Sequence, residues 1–340
     1  MKKETIQKSR LAKALFATLL AFAMQPAKAA DKPIELTLST YIPPAYEYMW
    51  KPLEAFVQYV ETESKGRVKI KSFHSAQLFD GYEELPALSR GDIDISNLTS
   101  TYASGAVPAL NLFTMPFVFQ DTQHLERSAA AGLLDLGIRE EMRDRHGIEV
   151  LGLAPIDPYQ FYSRREPIRT VADFKGKVWA TTGAADARAI QLLGGSPTSM
   201  PSSELYLALD RGVIDGTPRP LITGIGRSLQ EVVKHLSLAT FAIDTSLLSI
   251  NKSKFESLPP DIQNIIRRGA ELRDREQFRQ VYAYIEQGVA QYEKLGVKVH
   301  TIDGDALKEL RAATRPAVDE WKAQVPTATR YLELVEKTRK

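Results

Sequence analysis

"LPPDIQNIIRRGAELRDREQFRQVYAYIEQGVAQYEKLG", residues 258–296, is a helix too long for its surroundings. Pro259 or Pro260 suits its first turn, where a missing N–H costs nothing. Phe278, Val281, Tyr282, Ile285, Val289 and Tyr292 then recur at helical spacing. A helix ending at Leu295, roughly 36 residues, runs about 54 Å at 1.5 Å per residue. The chain has 340 residues, enough for two domains of about 150 each. The helix is longer than either domain alone, so it must lie across both.

Working outward, "TSLLSIN" (245–251) precedes it as a buried strand by apolar content. At the other end of the chain, "IELTLST" reads as a first strand, Trp50, Leu53, Phe56, Val57 and Val60 as a helix, and "RVKIKSF" as a second strand. "YEELPALSRG" is a short helix and "DIDISNL" a third strand. This alternation indicates an α/β sheet with helices on both faces. A helix around His124 to Leu136 and the strand "GIEVLGLA" close the first half. The pattern then restarts with a strand in "ADFKGKVWATTG", a helix in "AADARAIQLLGG" and a helix capped by Ser202 or Ser203. A strand at "VIDG" and a helix at "SLQEVVKHL" follow. The fold class is thus α/β and two-lobed, with crossing strands and a long helix spanning both lobes, the layout of a hinge-closing or Venus-flytrap binder.

The first thirty residues stand apart. Lys2, Lys3, Lys8, Arg10 and Lys13 precede an apolar run of 11 residues, "ALFATLLAFAM", and then "AKAAD". Basic start, apolar core and small residues are the order of a cleaved secretory signal peptide, and the run is shorter than the roughly 20 residues a spanning helix needs. Residues 1–30 are therefore expected to be removed, leaving the mature protein in the periplasm. The whole chain has 44 Lys/Arg and 42 Asp/Glu; without the leader's six and one, 38 and 41 remain, a net charge of −3. A mildly acidic body without a basic run argues against nucleic acid. With no cysteine, thiol nucleophiles and thiolate metal sites are excluded.

Catalytic signatures are missing too. His74, His124, His146, His235 and His300 form no HxxxH or HExxH pattern, and His124 and His235 read as helix-surface residues. "GDIDISN" lacks the length and terminal Glu of a calcium loop, and "TTGAADA" lacks the glycines of a phosphate loop. No cofactor, metal or catalytic residue is expected. In open α/β sheets ligands bind beyond the carboxyl ends of strands. Tyr41, Thr99, Tyr159, Trp179, Ala180, Thr181, Arg219 and Phe241, the first residue of a stretch 241–245, hold such positions. Arg219 lies in "RGVIDGTPRP", between two prolines that stiffen the backbone on both sides.

"GRVKIKSFHSAQL", "LSRGDIDISNL", "MPFVFQD", "DFKGKVWATTG", "SPTSMPSSELYLALDRGVIDG" and "LSINKSKFESLPPDIQNIIRRGA" occur in one order. That order resembles the solute-binding proteins of tripartite ATP-independent periplasmic (TRAP) transporters, the DctP-like family, across essentially the whole mature chain. The resemblance implies a monomeric binder, not an enzyme, that closes over one small organic anion. It delivers this cargo to a membrane permease of small and large subunits. It also implies a first lobe of residues 31–156 plus 245–284 and a second of 157–244 plus 285–340.

This chain departs from the family pattern where the ligand is held. The family's usual arginine after the "DFKG" turn falls on Ala180, and a second frequent one falls on Tyr159. An asparagine that contacts ligand falls on Arg219. The sequence therefore suggests that Arg219 supplies the carboxylate-binding fork; the alternative is a pair with a surface acid beside the cleft. Trp179 reads either as pocket wall or as core. If Trp179 and Tyr159 line the pocket, bulkier or aromatic acids are favoured over small dicarboxylates. Three rival readings stand: an ABC-importer binding protein, an exported enzyme, and a binder of an uncharged or cationic solute.

Overall fold

The structure, a computed structural model, describes residues 32–340; the expected leader lies outside the described residues. β1 (Ile34–Ser39), α1 (Glu47–Glu63), β2 (Val68–Phe73), α2 (Glu84–Arg90) and β3 (Ile95–Thr99) follow one another as the alternation predicts. In α1, Met49, Leu53, Phe56 and Val60 are buried at steps of three and four, the single stripe of a helix lying on a sheet. A one-turn helix, α3 (Ser100–Ala103), continues β3. The helix expected over 124–136 divides at Gly132, which takes a left-handed φ of 88°. It becomes α4 (Thr122–Ala130) and a 3-10 turn, and α5 (Ile138–His146) follows before β4 (Ile148–Pro155).

The restarted pattern gives β5 (Tyr159–Ser163), β6 (Val178–Thr181), α6 (Ala184–Leu192), β7 (Ser196–Ser199), α7 (Leu205–Asp210), β8 (Gly216–Pro220), α8 (Leu221–Gly226) and β9 (His235–Leu238). Then come β10 (Thr245–Asn251), α9 (Lys252–Ser257), α10 (Pro260–Lys294), β11 (Lys298–Thr301), α11 (Gly304–Gln324) and α12 (Ala328–Thr338). One sheet has the order β2-β1-β3-β10-β4 and the other β11-β9-β5-β8-β6-β7.

Three local expectations are corrected. The strand read at "VIDG" is instead "GTPRP", entirely buried. Pro218 and Pro220 are two apart, so their missing N–H groups fall on one side, where β6 pairs with β8 only at Gly216. The other side ladders with β5, with Gln160 opposite Arg219. Proline is tolerated because no ladder bond is lost. Residues 228–236, read as a helix, form a 3-10 turn and then β9, because Leu236 and Ser237 find partners on both β5 and β11. His124 is fully buried rather than on a helix surface; its Nδ1 accepts from the Gln120 amide and its Nε2 meets the Val335 carbonyl at 2.7 Å.

Two short segments, after β4 and before β10, carry the chain between the sheets, and α10 carries it across a third time. The two short crossings bond to each other: Ile156 N–H to Asp244 O at 2.8 Å, Tyr159 N–H to Ala242 O at 2.8 Å, and Phe241 N–H to Tyr159 O at 3.0 Å. Asp157, in the first crossing and fully buried, accepts from the Tyr48 hydroxyl on α1 at 2.6 Å. It also accepts from the amides of Leu221 and Ile222 at the start of α8. Burial pushes its carboxyl up to about 7 despite those donors.

Helix α10 has 35 residues, about 52 Å, and spans both lobes as its length requires. Near its start Gly269 lies against Phe56 and Tyr59 of α1. Asp274 accepts from the Leu153 amide of β4 at 2.9 Å. Near its end Tyr292 bonds Tyr162 of β5 at 2.8 Å and donates to Leu221 O at 2.6 Å. After α10 the chain packs Leu310 with the second lobe's Phe161 and Phe174. It then returns, with Trp321 donating to Pro108 O at 2.9 Å and Val335 beside His124.

Candidate functional site

The carboxyl ends of β1, β3 and β8, the start of β5 and the second crossing converge on one small cavity. Tyr41 follows β1 and Thr99 ends β3, and their hydroxyls meet at 3.0 Å. Tyr102 of α3 sets its ring edge-on to Tyr41, centroids 4.9 Å apart, and its hydroxyl accepts from the Ser202 amide at 2.9 Å. Tyr159 opens β5 and donates to Asp244 at 3.0 Å. Arg219 reaches in from β8, and Thr182, one residue beyond β6, completes this part of the wall. The space left among these groups is about 10 Å³, room for about one water. An organic solute does not fit in that space in this conformation.

Arg219 is 2% exposed. Its guanidinium donates to Pro218 O at 3.1 Å and to Met200 O at 3.2 Å; its Nε has no partner among the described residues. The nearest carboxylate is Asp186 of α6, at 3.9 Å and itself fully buried. Asp186 accepts from the amides of Thr182 and Gly183, both at 2.8 Å, which fixes it at the first turn of its helix. The acid that Arg219 meets is therefore a buried one, not the surface acid of the alternative reading.

The electrostatics follow from burial. Burial opposes the Arg219 charge, but the phenol oxygens of Tyr159 and Tyr102 and the carboxyl of Asp186 around it act the other way, and the guanidinium stays charged. Burial pushes Asp186 up, with Arg219 pulling the other way. Asp244 rises to about 7, again through burial, against the Thr245 amide and the Tyr159 hydroxyl. Burial pushes the Tyr102 phenol up to about 12, so it stays neutral. The hydroxyls of Tyr46, Thr101 and Ser202, which also line the cavity, are buried without partners among the described residues. A buried polar group left unbonded is costly, and these hydroxyls and Arg219 Nε can each donate, on residues that line one space.

Four of the eight sequence-derived residues, Tyr41, Thr99, Tyr159 and Arg219, line this cavity together. The other four do not line it. Trp179 is fully buried in the core of the second lobe, its ring 5.0 Å from Phe174 and edge-on to Phe161 at 6.0 Å. Phe241 is buried between Phe117 and Phe161. Ala180 packs with Leu205 and Ile214, its carbonyl accepting from Thr217 at 2.8 Å. Thr181 is buried beside Thr198. Strand-end position located β6 correctly but pointed one residue short of Thr182. Tyr46, Tyr102 and Ser202 were missed because they lie in turns and a one-turn helix, whereas Asp244 falls in the stretch 241–245 that strand-end position had singled out; the position of Tyr102, just after a strand end, was the available signal.

Residues 39–324 match the family model described as bacterial extracellular solute-binding protein, family 7 (DctP). The chain is 28% identical over 220 residues to a 2,3-diketo-L-gulonate-binding periplasmic protein of Escherichia coli, covering 64% of this chain and 66% of that one. It is 27% identical over 267 residues to a sialic acid-binding periplasmic protein of Vibrio cholerae, covering 78% and 82%. Among solved structures, a TRAP periplasmic solute-binding protein from Chromohalobacter salexigens with bound D-glucuronate superposes with a TM-score of 0.84 at 23% identity. The match covers 89% of this chain and all of that one. No helix among the described residues is long and apolar enough to cross a membrane.

Proposed function

The chain belongs to family 7 of the bacterial extracellular solute-binding proteins, the TRAP-transporter type, and on that premise we propose that it captures a small organic acid between its lobes. The observation that carries this is Arg219: a buried, charged guanidinium with an unpartnered Nε, beside three unpartnered hydroxyls. Such a donor-rich wall suits a carboxylate and the hydroxyls next to it. The hydroxyl wall, with Trp179 in the core, favours a polyhydroxy acid over a bulky aromatic one. Relatives that bind 2,3-diketo-L-gulonate and sialic acid support that reading.

The protein acts by binding and not by catalysis. The leader directs it to the periplasm, and the closed form hands its cargo to a membrane permease of small and large subunits, working as a monomer. The first lobe comprises residues 31–156 and 245–284, with boundaries in the two crossings. The second comprises 157–244 and, from 285, the chain up to about Pro316, since Ala317 onward packs with Leu110 and Phe113.

A second reading has one observation in its favour. Asp186 and Asp244 put two buried carboxyls near one guanidinium, which suits an uncharged or cationic solute if both are ionised. Thermal unfolding of the purified mature protein separates the two readings. D-glucuronate, sialic acid and 2,3-diketo-L-gulonate are compared with their uncharged sugar counterparts and with cationic amines. A ligand at a hundred times its Kd stabilises by about 2.7 kcal/mol. Shifts confined to acids support the proposal; shifts with neutral sugars or amines alone refute it.

A further inference from the structure

Far along the chain from the cleft, α11 and α12 meet the loop 116–118 around a separate pocket of about 390 Å³. That volume falls in the range of small-molecule sites. Arg311, Arg315 and Arg339 line it with a single acid, Glu336. Arg315 pairs with Asp319 at 3.4 Å and Arg339 with Glu336 at 2.7 Å. Arg311 has no ion pair among the described residues; its guanidinium instead lies over the Phe117 ring, 4.9 Å from the centroid. The wall beneath is apolar, with Val318, Leu332 and Val335.

Two observations single out this pocket from an ordinary charged surface. Burial and the neighbouring Arg339 charge both work against the Arg311 charge, so two like charges are held together with no anion supplied for one of them. Phe117 is partly exposed and takes a left-handed φ of 57°, a conformation a bulky residue holds only when its surroundings enforce it, as at ligand clamps. Its amide donates to Phe241 O at 2.9 Å and its ring meets the Phe241 ring edge-on at 5.6 Å. Phe241 belongs to the second crossing, so the pocket floor is tied to the segment on which the lobes turn.

We propose that this pocket is a second ligand site, for a small organic anion with an apolar body. The anionic head sits at Arg311 and Arg339, and the apolar part lies against Phe117 and the valine and leucine side chains. A planar guanidinium stacked on an aromatic ring keeps its edge free for an anion's oxygens. Because the floor touches the crossing, an occupant is positioned to bias lobe closure.

The test uses anilinonaphthalene sulfonate, an anion with an aromatic body, followed by its own fluorescence with the mature protein. The expected result is a saturable rise below about 1 mM. Arg311→Ala weakens it at least about fivefold, the loss of one charge-assisted contact. Lys308→Ala removes an equal charge from the same helix, where Lys308 is largely exposed and pairs with Asp305; it leaves the probe's affinity within about twofold. Arg311→Gln, which keeps a long polar side chain, reproduces the loss if Arg311→Ala folds poorly. Unchanged affinity in both Arg311 variants, equal loss in Lys308→Ala, or no saturable rise overturns the proposal.

Discussion

Replacing Arg219 by alanine tests the cleft most directly, because it acts on affinity and stability through separable partners. For affinity, a guanidinium that contacts a carboxylate through charge-assisted bonds contributes about 1.5–3 kcal/mol, so Arg219→Ala should weaken binding of an acid about 10- to 150-fold. For stability, the loss leaves Asp186 buried without its cation. Removing one partner of a buried pair costs about 3–5 kcal/mol, and the 3.9 Å separation here argues for the low end. Burial already raises the Asp186 pKa and Arg219 opposes the rise, so the variant's folded pKa moves further up. A raised carboxyl favours the fold when protonated and disfavours it once ionised. The deficit relative to wild type is therefore smallest at low pH and grows as pH rises through the folded pKa. Calorimetric titration with D-glucuronate measures the first effect, and urea unfolding at pH 5 and pH 8 the second. Asp186→Asn combined with Arg219→Ala should recover most of the stability and none of the affinity. Unchanged affinity in Arg219→Ala, or recovered affinity in the double variant, would refute the guanidinium grip.

Three further outcomes follow from the geometry. Tyr82 donates to Thr182 O and shares a hydrogen bond with Ser199, both at 2.9 Å, joining the lobes at the cleft. Tyr82→Phe should shift the lobes toward open, weakening ligand binding about 2- to 13-fold, a net 0.5–1.5 kcal/mol, with an expanded radius of gyration in solution scattering. Trp179→Ala should destabilise by about 3–5 kcal/mol yet leave affinity within about twofold under conditions where it is folded; a large affinity loss would move the indole from the core to the site. Asp157 and Asp244 each titrate near pH 7 in the fold and near 4 when unfolded. They stabilise the fold when protonated, and that contribution is lost as pH rises through about 7. Asp157→Asn should flatten the pH dependence between pH 5 and 8 relative to wild type, read from urea unfolding.

Much of this protein was legible from residue pattern alone. The α10 stripe and its length demanded two lobes, because a helix longer than a domain must bridge two. The strands β1, β2, β3 and β10 were readable because each is a short β-rich run set off by turn signals. Arg219, Tyr41, Thr99 and Tyr159 could be nominated as site residues because strand ends are where an α/β sheet leaves side chains uncovered.

What local pattern could not carry were the facts set by partners distant in the chain. Residues 235–238 became a strand because β5 and β11 flank them, not because of their own preference. Trp179 went to the core while Thr182 reached the cavity, a choice made by which face of β6 packs on Phe161 and Phe174. Asp186 lies 33 residues from Arg219 in sequence, and only the folding of α6 against β8 brings the two within 3.9 Å. Burial then bears on their chemistry, since it pushes the Asp186 carboxyl above its value in water while Arg219 pulls it back.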